Sequence, residues 1–375
     1  MFYIGLMSGT SMDAIDTALV HFNDNSTKLI KYQEFPIGPE LRRGIRNLCV
    51  SSPLGEVSKY DTLLGNLFAD AACAILKKSG LEPSMINAIG CHGQTILHLP
   101  DNDYPATMQI GDPNIIASKS GITTVSDFRR MDMAAGGQGA PLAPAFHEFL
   151  FRDFRTDRVV LNIGGIANIT VLAADESSPV TGFDTGPGNG LLDDWNRLHN
   201  GTDMDENSAW ASGGNPDKEL LELFLADPYF RRQPPKSTGR DFFNLAWVQA
   251  MLLRRGEHLQ PSDIMATLFR LTIGNIAEAI RRFAPKTMEI ILCGGGARNR
   301  TLLNNLQNAF PDIHLGTTTE KGYNPDAIEA MTFAWLAKQR LECKPGNLPS
   351  ATGARHPVLL GGVYRSSPVI GNTQT

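Results

Sequence analysis

The chain opens on a short apolar run, Tyr3-Ile4-Gly5-Leu6-Met7. A second run, Thr17-Ala18-Leu19-Val20-His21-Phe22, follows after a polar turn rich in glycine, serine, threonine and aspartate. Strand-forming runs joined by such residues make hairpins. The same order returns in the second half, as Val159-Val160-Leu161-Asn162-Ile163, then Gly164-Gly165, then Asn168 to Leu172. Gly164 follows Gly9 by roughly the ~150 residues of one domain. A chain of 375 residues is therefore expected to hold two domains of one architecture, each opening on a strand, a glycine turn and a strand. Identity between the copies is slight and a glycine in a hairpin turn is ordinary, so the echo is one of architecture only.

Between these hairpins, β-rich runs alternate with helical ones, the pattern of an α/β chain. Asp61 to Lys78 reads as a helix with Leu64, Leu67, Phe68, Ala71 and Ile75 on one face. Lys77, Lys78 and Gly80 are its stop signal. Ile86 to Ile89, Ile122 to Val125 and Met288 to Cys293 read as strands. Ser262 to Phe283 and Pro325 to Ala337 read as helices, the latter with Asn324 as N-cap and Pro325 in the first turn. Three glycines and two prolines between Met131 and Pro144 mark a boundary or hinge. The expected domains are thus 1–140 and 141–375, with the C-terminal segment free to pack back on the first.

Composition excludes several classes. Thirty-four basic against 39 acidic residues give a net charge of −5 without long runs, which argues against a nucleic-acid partner. Hydrophobic residues at 42% and charged ones at 19% are globular values. No apolar run is long enough to span a membrane. The first basic residue is Lys28, so the start lacks the charged region of a signal peptide. Five cysteines without a C-x-x-C pair argue against disulfides and zinc, and for the cytoplasm. A homodimer stays open.

Chemistry gathers at the turns. Gly9, Thr10, Ser11, Met12, Asp13, Ala14, Ile15 and Asp16 offer backbone N–H groups and hydroxyls to an anion. Asp13 and Asp16 suit a phosphate carried with Mg²⁺. A solvent-exposed hairpin is the plainer alternative, and the P-loop pattern is absent. Asn162, Gly164 and Gly165 form a second such turn. Gly294, Gly295 and Gly296 form a third, between a strand and a helix from Arg300 to Phe310, where a ligand can approach the positive helix end. Three such turns after hydrophobic strands point to a nucleotide, although the third also reads as a tight β–α connection.

Asp184 lies at a strand end in Thr181-Gly182-Phe183-Asp184-Thr185-Gly186-Pro187-Gly188-Asn189. A carboxylate there can deprotonate a hydroxyl or a water, or merely cap its own loop. Asp193 and Asp194 read as solvated. Gly90-Cys91-His92-Gly93-Gln94-Thr95 and Asp127-Phe128-Arg129-Arg130 also follow strands and suit a sugar, with Arg129 able to grip a carboxylate in bidentate fashion. A lone histidine after a strand is more often structural. Cys91 and His92 point to opposite sides of an extended chain, against a nucleophilic thiol. His98 reads as a loop residue.

Together these segments resemble the anhydro-N-acetylmuramic acid kinases. The likeness runs through Gly5-Leu6-Met7-Ser8-Gly9-Thr10-Ser11-Met12-Asp13, His92-Gly93-Gln94-Thr95, Asp127-Phe128-Arg129 and the run Ala134 to Leu142. It continues in Asn162-Ile163-Gly164-Gly165, Phe183 to Asn189, Cys293-Gly294-Gly295-Gly296 and Gly346 to Ala354. The order is kept from the first strand to about Tyr364.

The resemblance implies an actin-like, ribonuclease H-like fold of two related α/β domains flanking a nucleotide cleft, closing over their ligands. It implies ATP and Mg²⁺, phosphate-binding turns at Gly9 to Asp16 and Gly164-Gly165, and adenosine near Gly294. It also implies a reaction in which the 1,6-anhydro ring of the sugar is opened with water while O6 is phosphorylated, in bacterial cell-wall recycling. Asp184 would be the general base, and His92, Gln94, Arg129 and Glu329 sugar contacts. Pairing Arg129 with the lactyl carboxylate is an inference from charge alone. One departure stands out: where many sugar kinases carry an aspartate at the end of the first strand, this chain has Met7 and Ser8, and Asp13 or Asp16 would have to substitute. An ordinary hexose or amino-sugar kinase and an actin-like ATPase switch are the competing readings.

Overall fold

The computed structural model describes residues 1–9, 12–23 and 26–366. β1 (Phe2–Ser8) runs antiparallel to β2 (Ala14–Phe22), which pairs with β3 (Thr27–Pro36). On its other side β1 takes β4 (Ile86–Cys91) in parallel. A separate hairpin follows, β5 (Gln94–Leu99) with β6 (Ala106–Ile110), before β7 (Thr124–Ser126) joins β4 in parallel. In the second half β8 (Arg158–Ile163), β9 (Ile166–Leu172) and β10 (Thr181–Pro187) form an antiparallel meander. β11 (Glu289–Cys293) and β12 (His314–Thr317) extend it in parallel beyond β8. Finally β13 (Gly362–Tyr364) pairs antiparallel with β7.

The sheet orders are β13-β7-β4-β1-β2-β3 and β10-β9-β8-β11-β12. Without β13, both read third, second, first, fourth, fifth, with three antiparallel strands and two parallel ones. Parallel neighbours need long crossovers, usually helical. The helix Leu54–Ser79 supplies one between β3 and β4, and the helix Pro261–Phe283 leads into β11. The architectural repeat expected from the two glycine turns is thus present strand for strand, in the order of an actin-like, ribonuclease H-like domain.

The chain divides into two compact units, residues 1–146 with 327–375, and residues 147–326. The division does not follow one cut at 140, because the C-terminal segment supplies β13 and the helix Ile328–Leu341 to the first unit. The glycine run expected as a hinge is pinned within that unit. Buried Asp132 accepts from Gly139 N (2.8 Å), Asn347 Nδ2 (2.6 Å) and Thr352 Oγ1 (2.7 Å), while Gln138 N donates to Thr352 O.

Side-chain alternation builds the first core. Ile4 and Leu6 join Leu64, Phe68, Ala71, Ala72 and Ile75 of the helix Leu54–Ser79, whose last turn closes on left-handed Gly80 as its stop signal predicts. Gly5 faces the opposite way. A Cβ on it would lie 1.7 Å from Ala330 O, and one on its register partner Gly90 would lie 1.9 Å from Phe333 O. Two adjacent glycines therefore let the helix Ile328–Leu341 lie flush on the sheet. In the second unit, Val159, Leu161 and Phe183 pack with Ile264, Leu268 and Leu271 of the helix Pro261–Phe283.

Three local expectations change. His98 lies in β5 and pairs with Thr107, so it is a strand residue. The helix expected from Pro325 starts as a 3₁₀ turn, Pro325–Ala327, and becomes α-helical from Ile328. β3 was not foreseen, because lysines and glutamates interrupt its apolar pattern, as is common in edge strands.

Candidate functional site

In the second unit three glycine segments far apart in sequence meet. The carbonyls of Gly164 and Gly165 accept from the N–H groups of Asn189 (2.8 Å), Gly188 (3.1 Å) and Gly190 (3.0 Å). A Cβ on Gly188 would stand 2.4 Å from Gly164 O. Cys293 pairs with Asn162 in the β11–β8 ladder, and a Cβ on Gly294 would stand 2.2 Å from Asn162 Oδ1. Gly294 also has φ +76, a left-handed backbone that suits glycine. The helix Gly190–Asn200 begins directly after Asn189, which adds the positive end of its dipole. The glycines thus let three backbone segments meet at a helix start, where the dipole favours an anion although the N–H groups of residues 188–190 are already spent on Gly164 and Gly165.

The segment carrying Asp184 is held from several sides. A register shift between Asp184 and Gly186 marks a bulge against β9. Beyond it, Thr185 Oγ1 donates to Asn275 Oδ1 (2.8 Å), Asn275 Nδ2 donates to Pro187 O (3.1 Å), and Thr272 Oγ1 donates to Gly188 O (3.1 Å). Thr272 and Asn275 sit three residues apart on the helix Pro261–Phe283, hence on one face.

Asp184 itself is half-buried. Its N–H donates to Lys236 O (3.2 Å), its carbonyl accepts from the Tyr229 hydroxyl (2.7 Å), and its Oδ2 accepts from Thr238 N (2.9 Å). Thr238, which holds the carboxylate, lies on a distant segment. Burial, and then the neighbouring Asp184, push the Tyr229 hydroxyl far up, so it stays a neutral donor. Asp194, expected to be solvated, instead pairs with Arg197 and Arg240. Sequence reading passed over Tyr229, Lys236, Thr238, Thr272 and Asn275. The one available signal was a lysine and an arginine in the proline-rich run 233–240, and it names no partner.

In the first unit, Gly9 accepts from Met12 N (3.1 Å) at the mouth of the β1–β2 turn. Thr10 and Ser11 lie outside the described residues. Met12 and Ile15 bury their side chains in the core, so they offer backbone alone, and Ala14 and Asp16 belong to β2. Asp13 forms an ion pair with Arg42, and Asp16 accepts from the Tyr32 hydroxyl. Among the described residues no group of three or more His, Cys, Asp or Glu is arranged to hold a metal. Mg²⁺ carried on phosphates needs only one or two carboxylates. Asp13, with its side chain 61% exposed, keeps the access for that.

Of the sugar candidates of this unit, His92 and Arg129 contact each other and Gln94 contacts Ser8. Ser8, where an aspartate was expected, donates to Gln94 Oε1 (2.7 Å). Arg129 donates from Nε (3.0 Å) and Nη2 (2.9 Å) to His92 Nε2, and from Nη1 to Gly139 O (2.8 Å). His92 Nδ1 lies 2.8 Å from Gly93 O. With Nε2 accepting, Nδ1 must carry the proton. Burial, then the Arg129 charge, holds the imidazole well below its usual range, so His92 is neutral and orients Arg129. Burial pushes the Cys91 thiol up to about 12, which disposes of a thiolate nucleophile. Glu329 is half-buried in the first turn of the helix Ile328–Leu341. A cavity of about 460 Å³ in this unit is lined by Gly93, Ser126, Asp127 and Arg130 among others, but by none of His92, Gln94 or Arg129.

All five cysteines are free, and among the described residues no helix is long and apolar enough to cross a membrane. Residues 1–366 match the family model described as anhydro-N-acetylmuramic acid kinase. The chain is 50% identical over 364 residues to the anhydro-N-acetylmuramic acid kinase of Coxiella burnetii, covering 96% of this chain and 97% of that protein. It is 48% identical over 374 residues to that of Photobacterium profundum, covering 97% and 99%. Among solved structures, the activator of 2-hydroxyisocaproyl-CoA dehydratase from Clostridium difficile with bound ADPNP aligns at 12% identity and a TM-score of 0.46, covering 91% of this chain and 96% of that one. That likeness is too distant to carry an argument.

Proposed function

The chain belongs to the anhydro-N-acetylmuramic acid kinase family, and from that premise we propose that Asp184 is the general base of an ATP-dependent opening and phosphorylation of 1,6-anhydro-N-acetylmuramic acid. The observation that carries this reading is the Asp184 carboxylate, which lies at the bulge in the middle of β10 rather than at the strand end expected, held by Thr238 N and four residues before Gly188 of the joined glycine turns.

In the reaction, Asp184 takes a proton from water and the water oxygen bonds to the anomeric carbon. The bond from that carbon to O6 breaks with its electron pair on O6. O6 then bonds to the γ-phosphorus as the bond to the departing ADP oxygen breaks. Products are N-acetylmuramic acid 6-phosphate and ADP, and the proton on Asp184 returns to solvent. The first half follows the logic of inverting glycoside hydrolysis, with phosphoryl transfer in place of protonating the leaving oxygen.

Gly164, Gly165, Gly186, Gly188 and Asn189 shape the backbone against which phosphate lies at the start of the helix Gly190–Asn200, Gly294 to Gly296 take the nucleoside, and Gly9 to Asp16 form a second phosphate set. Asp13 would hold Mg²⁺, which when bound neutralises charge on the triphosphate. Gln94, Arg129 and Glu329 serve the sugar, with His92 fixing Arg129 so that its remaining donor edge keeps one orientation. The free cysteines favour a cytoplasmic setting, and the substrate assigns the enzyme to cell-wall recycling.

Turnover in ¹⁸O-water tests the reading: label is expected at the anomeric oxygen of the product, and an unlabelled product would mean an ordinary kinase. Asp184→Asn should lose ~10²-fold or more in kcat, the scale of a deleted general base, with thermal stability and nucleotide affinity kept. Unchanged turnover would remove Asp184 from the mechanism.

A further inference from the structure

Arg240 belongs to the segment that holds the base, two residues after Thr238, whose N–H donates to Asp184 Oδ2 (2.9 Å). Its stem crosses the second glycine turn. A Cβ built on Gly165 would lie 3.4 Å from Arg240 Cδ, 3.9 Å from Arg240 Cγ and 3.9 Å from Gly190 Cα, where the helix Gly190–Asn200 begins. The side chain is 21% exposed, and its Nη2 donates to Asp194 Oδ1 on that helix at 2.5 Å. That oxygen is shared, because Arg197 Nη1 donates to it as well, at 2.9 Å. A guanidinium carries five N–H donors in a fixed fork. Among the described residues, Asp194 is the only group to which Arg240 donates.

An anion at this turn needs such a group. The N–H groups of residues 188–190 are spent on the carbonyls of Gly164 and Gly165, so these amides leave a phosphate short of donors. A guanidinium can take two phosphate oxygens at once. Resting on the placement of phosphate at the Gly164-Gly165 turn, we propose that Arg240 binds the phosphate chain of the nucleotide through the donors that Asp194 leaves unused. Asp194 occupies Nη2 and leaves Nε and Nη1 for the ligand. A carboxylate and a phosphate compete for one cation, so Asp194 also tempers the grip on ATP. A purely structural bridge between Arg240 and Asp194 behaves differently, since it breaks equally from either end.

The test is calorimetric titration of the full-length protein and its variants with ATP in the presence of Mg²⁺, and with adenosine, which lacks phosphate. Arg240→Gln should weaken ATP binding about tenfold or more, the scale of a lost charged hydrogen bond, with adenosine affinity within about twofold of the parent's. Arg240→Lys, a point charge without the fork, should fall between the parent and Arg240→Gln. Asp194→Asn should bind ATP as tightly as the parent or more tightly, because the guanidinium loses a competitor. Unchanged ATP affinity in Arg240→Gln overturns the proposal, and so does a loss for adenosine equal to that for ATP. An Asp194→Asn variant that loses as much as Arg240→Gln is equally fatal, being the signature of a bridge. Should Arg240→Gln fail to fold, Arg240→Lys decides: ATP affinity equal to the parent's there sinks the idea. Gly165→Ala separates this failure from that of the turn itself, because its methyl makes only ordinary contacts yet takes space from phosphate. If ATP affinity survives in both Gly165→Ala and Arg240→Gln, phosphate does not lie at this turn. If Gly165→Ala weakens ATP while Arg240→Gln does not, only the role of Arg240 falls.

Discussion

The two sheets share an order, yet their first turns are built differently. In the first unit five residues, 9–13, join β1 to β2, and a Cβ on Gly9 would meet nothing within 4 Å. In the second, two residues join β8 to β9, and their carbonyls are roofed by the N–H groups of residues 188–190. Of the long turn, Gly9 has open space beside it and Asp13 pairs with Arg42. The short one is locked by backbone and by two polar side chains of a buried helix. The same topology thus yields a five-residue connection in one unit and a two-residue connection braced by backbone hydrogen bonds in the other.

Substitutions can break that contrast. Gly188→Ala should have the largest effect, since its Cβ would meet Gly164 O at 2.4 Å and Ala167 N at 3.1 Å. Both are backbone atoms that cannot swing aside, so overpacking should cost about 1–3 kcal/mol, visible in urea denaturation. A midpoint equal to the parent's would show that the short turn is looser than described. Asn275→Ala comes next: it removes the Nδ2 donor to Pro187 O and the nearer of two acceptors of Thr185 Oγ1, which keeps Ala167 O, a loss of about 1–2 kcal/mol for buried hydrogen bonds. If kcat falls while KM for ATP holds, the helix positions Asp184; if neither moves, the bracing is idle. Gly9→Ala should be smallest in stability, within about 0.5 kcal/mol, because the added methyl meets nothing. It should nevertheless raise KM for ATP if phosphate approaches that backbone, and an unchanged KM would take Gly9 out of the nucleotide site.

Much of the fold was legible because it is locally written. Runs such as Val159 to Ile163 and the Lys77-Lys78-Gly80 stop carry their periodicity and turn chemistry in adjacent residues, and their elements appeared where expected. The edge strand β3 and the hairpin strand holding His98 were hidden, since polar side chains on exposed strands blur the pattern. At the site, Asp184 and the glycines stood out by composition. Their supports did not, because Tyr229 and Thr238 are identified as partners of Asp184 only by where the chain folds.

By itself the sequence pointed to the architectural repeat and identified the family, since glycine, hydroxyl and carboxylate residues in fixed local order need no distant neighbour to be read. Tertiary structure alone decided which groups serve which. It turned Arg129 toward His92, drew Asn347 and Thr352 onto Asp132, and laid the backbone of Lys236 and Thr238 against Asp184. Those pairings depend on distance and burial between segments remote along the chain, quantities that exist only once the core has packed.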